Sequence, residues 1–220
     1  MVDFAHARKA MVDNQLRTSN ITDRRLLAVM GQVPRERFVP AERQTLAHID
    51  GAHLLQPGRS GRALPAPAPF AKLVQLAGLQ HTDRILDLGC GTGYSTAVLA
   101  ALAAHVVALD DQADLAALAR DNLQALGIDN AMIIEAPLAE GAPGHAPFDV
   151  IIVEGVVDAV PAALFGQLAD GGRLVALIRR GATAVANLFV KSGKDVAGRA
   201  EFNASLPPLG GPAVEDEFIF

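Results

Sequence analysis

Residues 85–99 constrain this chain more than any other stretch. Ile85-Leu86-Asp87-Leu88 has the make-up of a short buried strand. Gly89-Cys90-Gly91-Thr92-Gly93 follows with no spacer, and Tyr94 opens a run of Ala, Val and Leu that reads as a helix over 94–104. Glycines at such a junction let the backbone turn sharply and let a ligand lie close against it. A strand that feeds a helix in this way needs a parallel strand to return to, and residues 106–109, ending at Asp110, supply it. The alternation continues with a helix over 114–126 stopped by Gly127, then a strand over 132–134 and a fully apolar strand over 150–153. A helix over 161–168 with Pro161 in its first turn and a fifth strand over 174–178 complete it. Short apolar strands alternating with helices imply an α/β fold with a doubly wound, mostly parallel sheet, of the Rossmann-like kind. Residues 188–190 and 218–220 are expected as strands at a sheet edge, with a loop of Pro207, Pro208, Gly210, Gly211 and Pro212 between them.

Residues 88–109 form 22 positions without a formal charge, about the span of a bilayer. The span opens on polar, glycine-broken sequence, and only 97–109 is continuously apolar apart from His105. That is too short to cross, so a buried strand–turn–helix is expected and no membrane partner. Charges at Asp3, Arg8 and Lys9 with no apolar stretch behind them give no secretory signal. The single cysteine, Cys90, excludes an intramolecular disulfide and fits a reducing cytoplasm. Lys plus Arg number 19 against 24 Asp plus Glu, a net charge of −5 with no basic block, so no nucleic-acid partner is expected. The six histidines lack metal-ligand spacing, and no metal is expected.

The ligand of the glycine turn can be narrowed by its flanking charges. In a doubly wound sheet the carboxyl ends of neighbouring strands line one crevice, which places Asp110 to accept hydrogen bonds from ribose hydroxyls. A dinucleotide fingerprint would want a small residue at position 94, where Tyr94 stands, and Asp87 sits where a pyrophosphate would be repelled. No Gly-Lys-Ser/Thr follows, which excludes a Walker loop. S-adenosylmethionine has no phosphate and carries a sulfonium and an α-ammonium, so an acidic lip suits it.

The first forty residues read as a helical cap. Phe4, Met11, Val12 and Leu16 form a loose apolar stripe. Thr22 is the expected N-cap of a second helix, with Ile21 and Leu26 as its hydrophobic staple and Gly31 and Pro34 closing it. Residues 56–69, with Pro57, Pro65, Pro67 and Pro69, are expected to hold no regular element, and a short helix is expected over 70–79. The organisation expected is a cap and substrate loop over 1–79, a donor-binding core over 80–180 and edge strands of the same domain over 181–220. The sequence carries no signal of oligomeric state.

Several blocks resemble the protein-L-isoaspartate O-methyltransferase family of class I methyltransferases. They are Met11-Val12-Asp13-Asn14-Gln15-Leu16-Arg17, Ile21-Thr22-Asp23, Val33-Pro34-Arg35-Glu36-Arg37-Phe38-Val39-Pro40 and the glycine motif through Leu99. The blocks 146–153 and 168–175 continue the likeness, so that it covers most of 11–178. The resemblance implies that Asp87, Gly89, Cys90 and Gly91 hold the methionine end of S-adenosylmethionine, that Asp110 takes the ribose, and that the acceptor is an isoaspartyl carboxylate of damaged protein or peptide; Gly93 of the same turn is a further cofactor-binding candidate.

Two places depart from the family pattern. Its substrate loop, Gly-Gln-Thr-Ile-Ser-Gln-Pro, falls on Gly61-Arg62-Ala63-Leu64-Pro65-Ala66-Pro67, so both hydroxyls are replaced, by Ala63 and Pro65. Its adenine-reading Gly-Asp-Gly falls on Ala136-Pro137-Leu138, which leaves Pro137 and Leu138 as cofactor-binding candidates through their backbone. Arg62 is a candidate fork for an acceptor carboxylate, the alternative being a solvated surface cation. Ser60 is a candidate hydroxyl if the loop shifts. Glu154 ends the fourth strand of the core and is either a structural cap or a site residue. Cys90 is expected to be a small packed residue rather than a nucleophile. The departures leave two further readings, a relative with a different methyl acceptor and a non-catalytic binding module.

Overall fold

The computed structural model describes residues 3–56 and 62–209. Its centre is a seven-stranded sheet. The strands are β3 (Arg84–Leu88), β4 (His105–Asp110), β5 (Ala131–Glu135), β6 (Phe148–Val157), β7 (Leu168–Arg180), β8 (Thr183–Ser192) and β9 (Asp195–Ala204), preceded in sequence by the small hairpin β1 (His53–Leu54) and β2 (Ala63–Leu64). The order is β5-β4-β3-β6-β7-β8-β9, with β3 to β7 mutually parallel and β8 and β9 added antiparallel. Parallel strands must be covered on both sides, and the core falls accordingly into two apolar layers.

The first layer takes Ile85, Val106, Ala108, Val150 and Ile152 from the strands. Against them pack α3 (Pro67–Ala77), α4 (Tyr94–Ala100), α5 (Ala113–Ala125) and the N-terminal cap with Met11, Leu16, Leu26 and Phe38. The second layer takes Leu86, Leu88, Val107, Leu109, Ile151 and Val153, and is covered by the short α6 (Ala162–Gly166) and the segment before β6. The expected doubly wound α/β sheet is present, but its two coverings are unequal.

The cap starts with α1 (Phe4–Met11), capped by Asp3, and continues through a π-turn over Val12–Leu16 and a 3₁₀ turn over Arg17–Ser19 to Asn20, which is left-handed at φ 64°. The next helix is α2 (Arg24–Gln32). Its N-cap is Asp23 rather than the expected Thr22: Asp23 Oδ1 accepts from the backbone N–H of Arg25 at 2.8 Å and Leu26 at 3.3 Å. A carboxylate satisfies those orphan donors better than a hydroxyl because the helix dipole favours negative charge there. The Thr22 N–H donates instead to Gln75 Oε1 of α3, at 2.7 Å.

The expectation that 56–69 holds no regular element is corrected in its described half. Ala63 and Leu64 pair with Leu54 and His53, and α3 begins at Pro67. Proline at the first helical position gives up only an N–H that has no intrahelical partner. Helix α4 stops at Ala100, short of the expected 104. Strands β6, β7 and β8 all run well beyond their expected cores. The strand β9 was not expected at all: most of it is exposed, so it lacks the apolar alternation that marks a strand in sequence. It is held by its ladder to β8, and Gly198 lets the Phe189 ring lie against it. The expected strand 218–220, and Gly210, Gly211 and Pro212, lie outside the described residues.

Candidate functional site

The carboxyl ends of β4, β3 and β6 stand side by side in that order. Side chains alternate along a strand, and residues 85, 106, 108, 150, 152 and 156 all face the first apolar layer. Asp87, Asp110 and Glu154 continue those same rows. Three neighbouring strands therefore carry three carboxylates on one face, with exposures of 0%, 0% and 6%.

The turn after β3 is built around two of them. Gly89 N and Cys90 N both donate to Leu109 O, at 2.7 and 3.2 Å, which folds the chain back over the tip of β4. Gly91 N donates to Asp110 Oδ2 at 2.9 Å, and Gln112 N to Oδ1 at 3.0 Å. Gly89 and Gly91 have φ of 85° and 56°, a region in which a Cβ is strained. Added Cβ atoms would also meet the Leu209 side chain at position 89 and the Leu55 side chain at position 91. The backbone here is thus bare and closely approached, and what approaches it is the chain's own leucines.

Asp87 receives Ser95 Oγ at 2.8 Å and Thr96 Oγ1 at 2.7 Å, both on Oδ2, from the first turn of α4. Among the described residues its Oδ1 has no partner, and neither oxygen of Glu154 has one. Burial, partly offset by the two hydroxyls, pushes the Asp87 carboxyl up to about 6. Burial and the neighbouring Asp87 push Glu154 well above the usual carboxylate range. Burial, with Asp87 and Asp110 beside it, pushes the Cys90 thiol up as well, so Cys90 is a packed residue and not an activated nucleophile.

Arg62 lies in the crevice and is 5% exposed, which removes the solvated alternative. Its Nε donates to Asp110 Oδ2 at 3.1 Å, Nη2 to Asp111 Oδ1 at 2.6 Å, and Nη1 to Leu209 O. Leu209 closes a short strap: Val156 N donates to Pro207 O at 3.0 Å, and Leu209 N to Val156 O at 2.9 Å. Leu209 thus covers the glycine turn while its carbonyl holds the arginine. Pro137 and Leu138 follow β5, and their carbonyls accept from Glu140 N and Gly141 N at 3.1 and 3.3 Å. Leu138 lines an apolar cavity of about 180 Å³ with Leu88, Val153, Leu164 and Leu209. Ser60 lies outside the described residues. Among the described residues no cluster suited to a metal ion occurs.

Reading the sequence missed Arg35 and the two leucines. Arg35 is fully buried; its Nε donates to Ala47 O at 2.7 Å, Nη2 to Pro65 O at 2.5 Å, and its guanidinium lies 4.8 Å from the Tyr94 ring centroid. It ties the cap to the loop before α3 and to the first residue of α4. Nothing local distinguishes it from Arg37, so no sequence signal marked it. Leu209 lay in a stretch read as a loop, with no sign of what it would cover.

A fit to a cationic, phosphate-free ligand can be judged from these groups. Three buried carboxylate oxygens without partners call for positive charge, and a bare glycine turn filled by two leucine side chains is a cradle that a flat or extended ligand could take over. The residues present fit the sulfonium and ammonium of S-adenosylmethionine.

Comparison with known proteins agrees. The family model described as protein-L-isoaspartate(D-aspartate) O-methyltransferase matches residues 6–210. A protein-L-isoaspartate O-methyltransferase of Koribacter versatilis is 43% identical over 175 residues, covering 80% of this chain and 78% of that protein. One of Methylorubrum populi is 42% identical, covering 80% of each. A solved protein-L-isoaspartate O-methyltransferase structure superposes with a TM-score of 0.81 at 26% identity, over 93% of this chain and 66% of its own. A Plasmodium falciparum structure assigned to the same enzyme, in complex with S-adenosyl-L-homocysteine, shares the fold with a TM-score of 0.77 at 24% identity, over 92% of this chain and 97% of its own. With this breadth of match, the chain belongs to the protein-L-isoaspartate(D-aspartate) O-methyltransferase family.

Proposed function

We propose that this chain is an S-adenosylmethionine-dependent O-methyltransferase that esterifies an isoaspartyl carboxylate of damaged protein or peptide in a reducing cytoplasm. The observation that carries the reading is the row of three buried carboxylates over a bare glycine turn, in a chain whose family is protein-L-isoaspartate O-methyltransferase. S-adenosylmethionine supplies an electrophilic methyl group on a sulfonium sulfur. Asp87 would hold the cationic methionine end against Gly89, Cys90, Gly91 and Gly93. Asp110 would accept from the ribose, and Pro137 and Leu138 would flank the base at the apolar cavity. Residues 80–180 would form the donor-binding core and 1–79 the cap and substrate loop, and β8 and β9 of the segment 181–220 supply the edge.

The acceptor needs no general base. A carboxylate of ordinary pKa is already ionised at neutral pH, so the protein's work is to orient it and exclude water, worth about 7–11 kcal/mol in well-oriented systems. Arg62 is the group suited to that orientation. It holds Asp110 through Nε, Asp111 through Nη2 and Leu209 O through Nη1; a ribose taking Asp110 would free the Nε donor for an acceptor carboxylate. This gives a charged replacement for the hydroxyls lost at Ala63 and Pro65.

The test is a methyl-transfer assay on the purified chain with methyl-labelled donor and an isoaspartyl peptide. The expected product is a base-labile ester that releases labelled methanol, with none from the matching aspartyl peptide. Equal labelling of both peptides, or of neither, would overturn the assignment of acceptor.

A further inference from the structure

Among the described residues, Glu154 is the member of the carboxylate row with no hydrogen-bond partner. It follows Val153, the last residue of β6 paired with β3; since Asp87 is opposite Ile152, Glu154 stands two residues beyond Asp87 along the neighbouring strand. Its two oxygens are buried and unpartnered, whereas Asp110 is held by Arg62 and two backbone N–H groups and Asp87 by two hydroxyls. A buried carboxyl that nothing satisfies is costly, and it persists where a ligand completes it. Asp110 lies on the far side of β3 from Glu154, so the ribose side of the crevice is β4 and the methionine side is β6.

We propose that Glu154 recognises the positive charge of the donor's sulfonium, and so sets the preference of this site for S-adenosylmethionine over its uncharged-sulfur product, S-adenosylhomocysteine. The proposal rests on the donor-site reading above. The two ligands share the ammonium, ribose and base and differ at sulfur by a methyl group and one charge, so a second carboxylate at the methionine end can separate them where Asp87 alone would not. Among the described residues, the ionisable groups that face Glu154 are the Asp87 carboxyl on β3 and the Cys90 thiol in the turn. With Arg62 bound to Asp110 and Asp111, no cation among the described residues is paired with Glu154, and burial and Asp87 favour its protonated form. A bound sulfonium draws it to the ionised form, so donor binding releases a proton that product binding does not.

The experiment is calorimetry on the full chain with each of the two ligands, in two buffers of different ionisation heat, for wild type and Glu154→Gln. The glutamine is close in size and uncharged, as the protonated carboxyl is, so thermal melting of the variant is expected to stay near wild type. The expected result is a loss of S-adenosylmethionine affinity of ~10-fold or more, with S-adenosylhomocysteine changed less than ~2-fold. The extra proton release on donor binding vanishes with it. Glu154→Asp, which keeps the charge, retains most of the ratio. An equal loss for both ligands would assign Glu154 to a part they share and overturn the proposal, as would an unchanged ratio in the glutamine variant or a lost ratio in the aspartate variant. Failure of the wild-type chain to bind either ligand is a distinct outcome that overturns the donor-site reading and this proposal with it.

Discussion

Replacing Asp87 by Asn should stabilise the ligand-free protein while ruining the proposed donor site. Asp87 is fully buried, and its pKa rises from 3.8 to about 6, about two units or ~3 kcal/mol at about 1.4 kcal/mol per unit. The sign follows from linkage. For an acid raised in the folded state, the fold favours the neutral form, so stability is greatest at low pH and is lost as pH climbs from about 4 through about 6. Above that the full penalty of a buried anion applies. Asparagine removes it, and its amide oxygen still accepts from Ser95 and Thr96. The variant should be more stable than wild type by ~1–3 kcal/mol at pH 7.5, the lower figure allowing for an imperfectly paired amide N–H, with the gain falling below ~1 kcal/mol near pH 4.5. Urea unfolding of both proteins at the two pH values measures this, and calorimetry with S-adenosylhomocysteine should show binding weakened by at least ~10-fold. A variant less stable than wild type at pH 7.5, or a gap that widens on acidification, would refute the claim that the site holds Asp87 against its own solvation.

Arg35→Leu strands the carbonyls of Ala47 and Pro65 in the interior, and should cost ~2–6 kcal/mol in a denaturant titration, from ~1–3 kcal/mol per unsatisfied group. Gly91→Ala puts a Cβ at φ 56° against Leu55, and should cost ~1–3 kcal/mol in the same titration while abolishing ligand-induced stabilisation in a thermal melt. Arg62→Ala should lower kcat/KM for an isoaspartyl peptide by ~10-fold or more, yet leave S-adenosylhomocysteine binding intact or tighter, because the fork on Asp110 no longer competes. Cys90 should resist iodoacetamide in the folded protein at pH 8 and react once unfolded in urea, read by intact mass, since burial and two carboxylates hold its thiol protonated.

Much of the proposed donor site was legible in the chain because its parts are local. Asp87, Gly89, Gly91 and Gly93 lie within seven residues of one another, and the strand, turn and helix that carry them are each marked by short-range pattern. Asp110 could be placed because parallel strands put their carboxyl ends together. The helical cap, the parallel core and the family were likewise readable, from apolar periodicity and from the block 33–40.

What the sequence could not reveal depends on contacts across long separations. Arg62 meets Asp110 and Asp111 from 48 and 49 residues away, and Leu209 from 147. Arg35 looks like any surface cation until the cap closes over it. The strand β9 has no apolar alternation to announce it, since pairing with β8 and not burial makes it a strand. Local sequence determined the kind of ligand this crevice suits, because charge type and glycine spacing are written there. Only the tertiary structure decided which carboxylates are already satisfied and which remain unpaired, because desolvation and hydrogen-bond partners are fixed by what packs around each group.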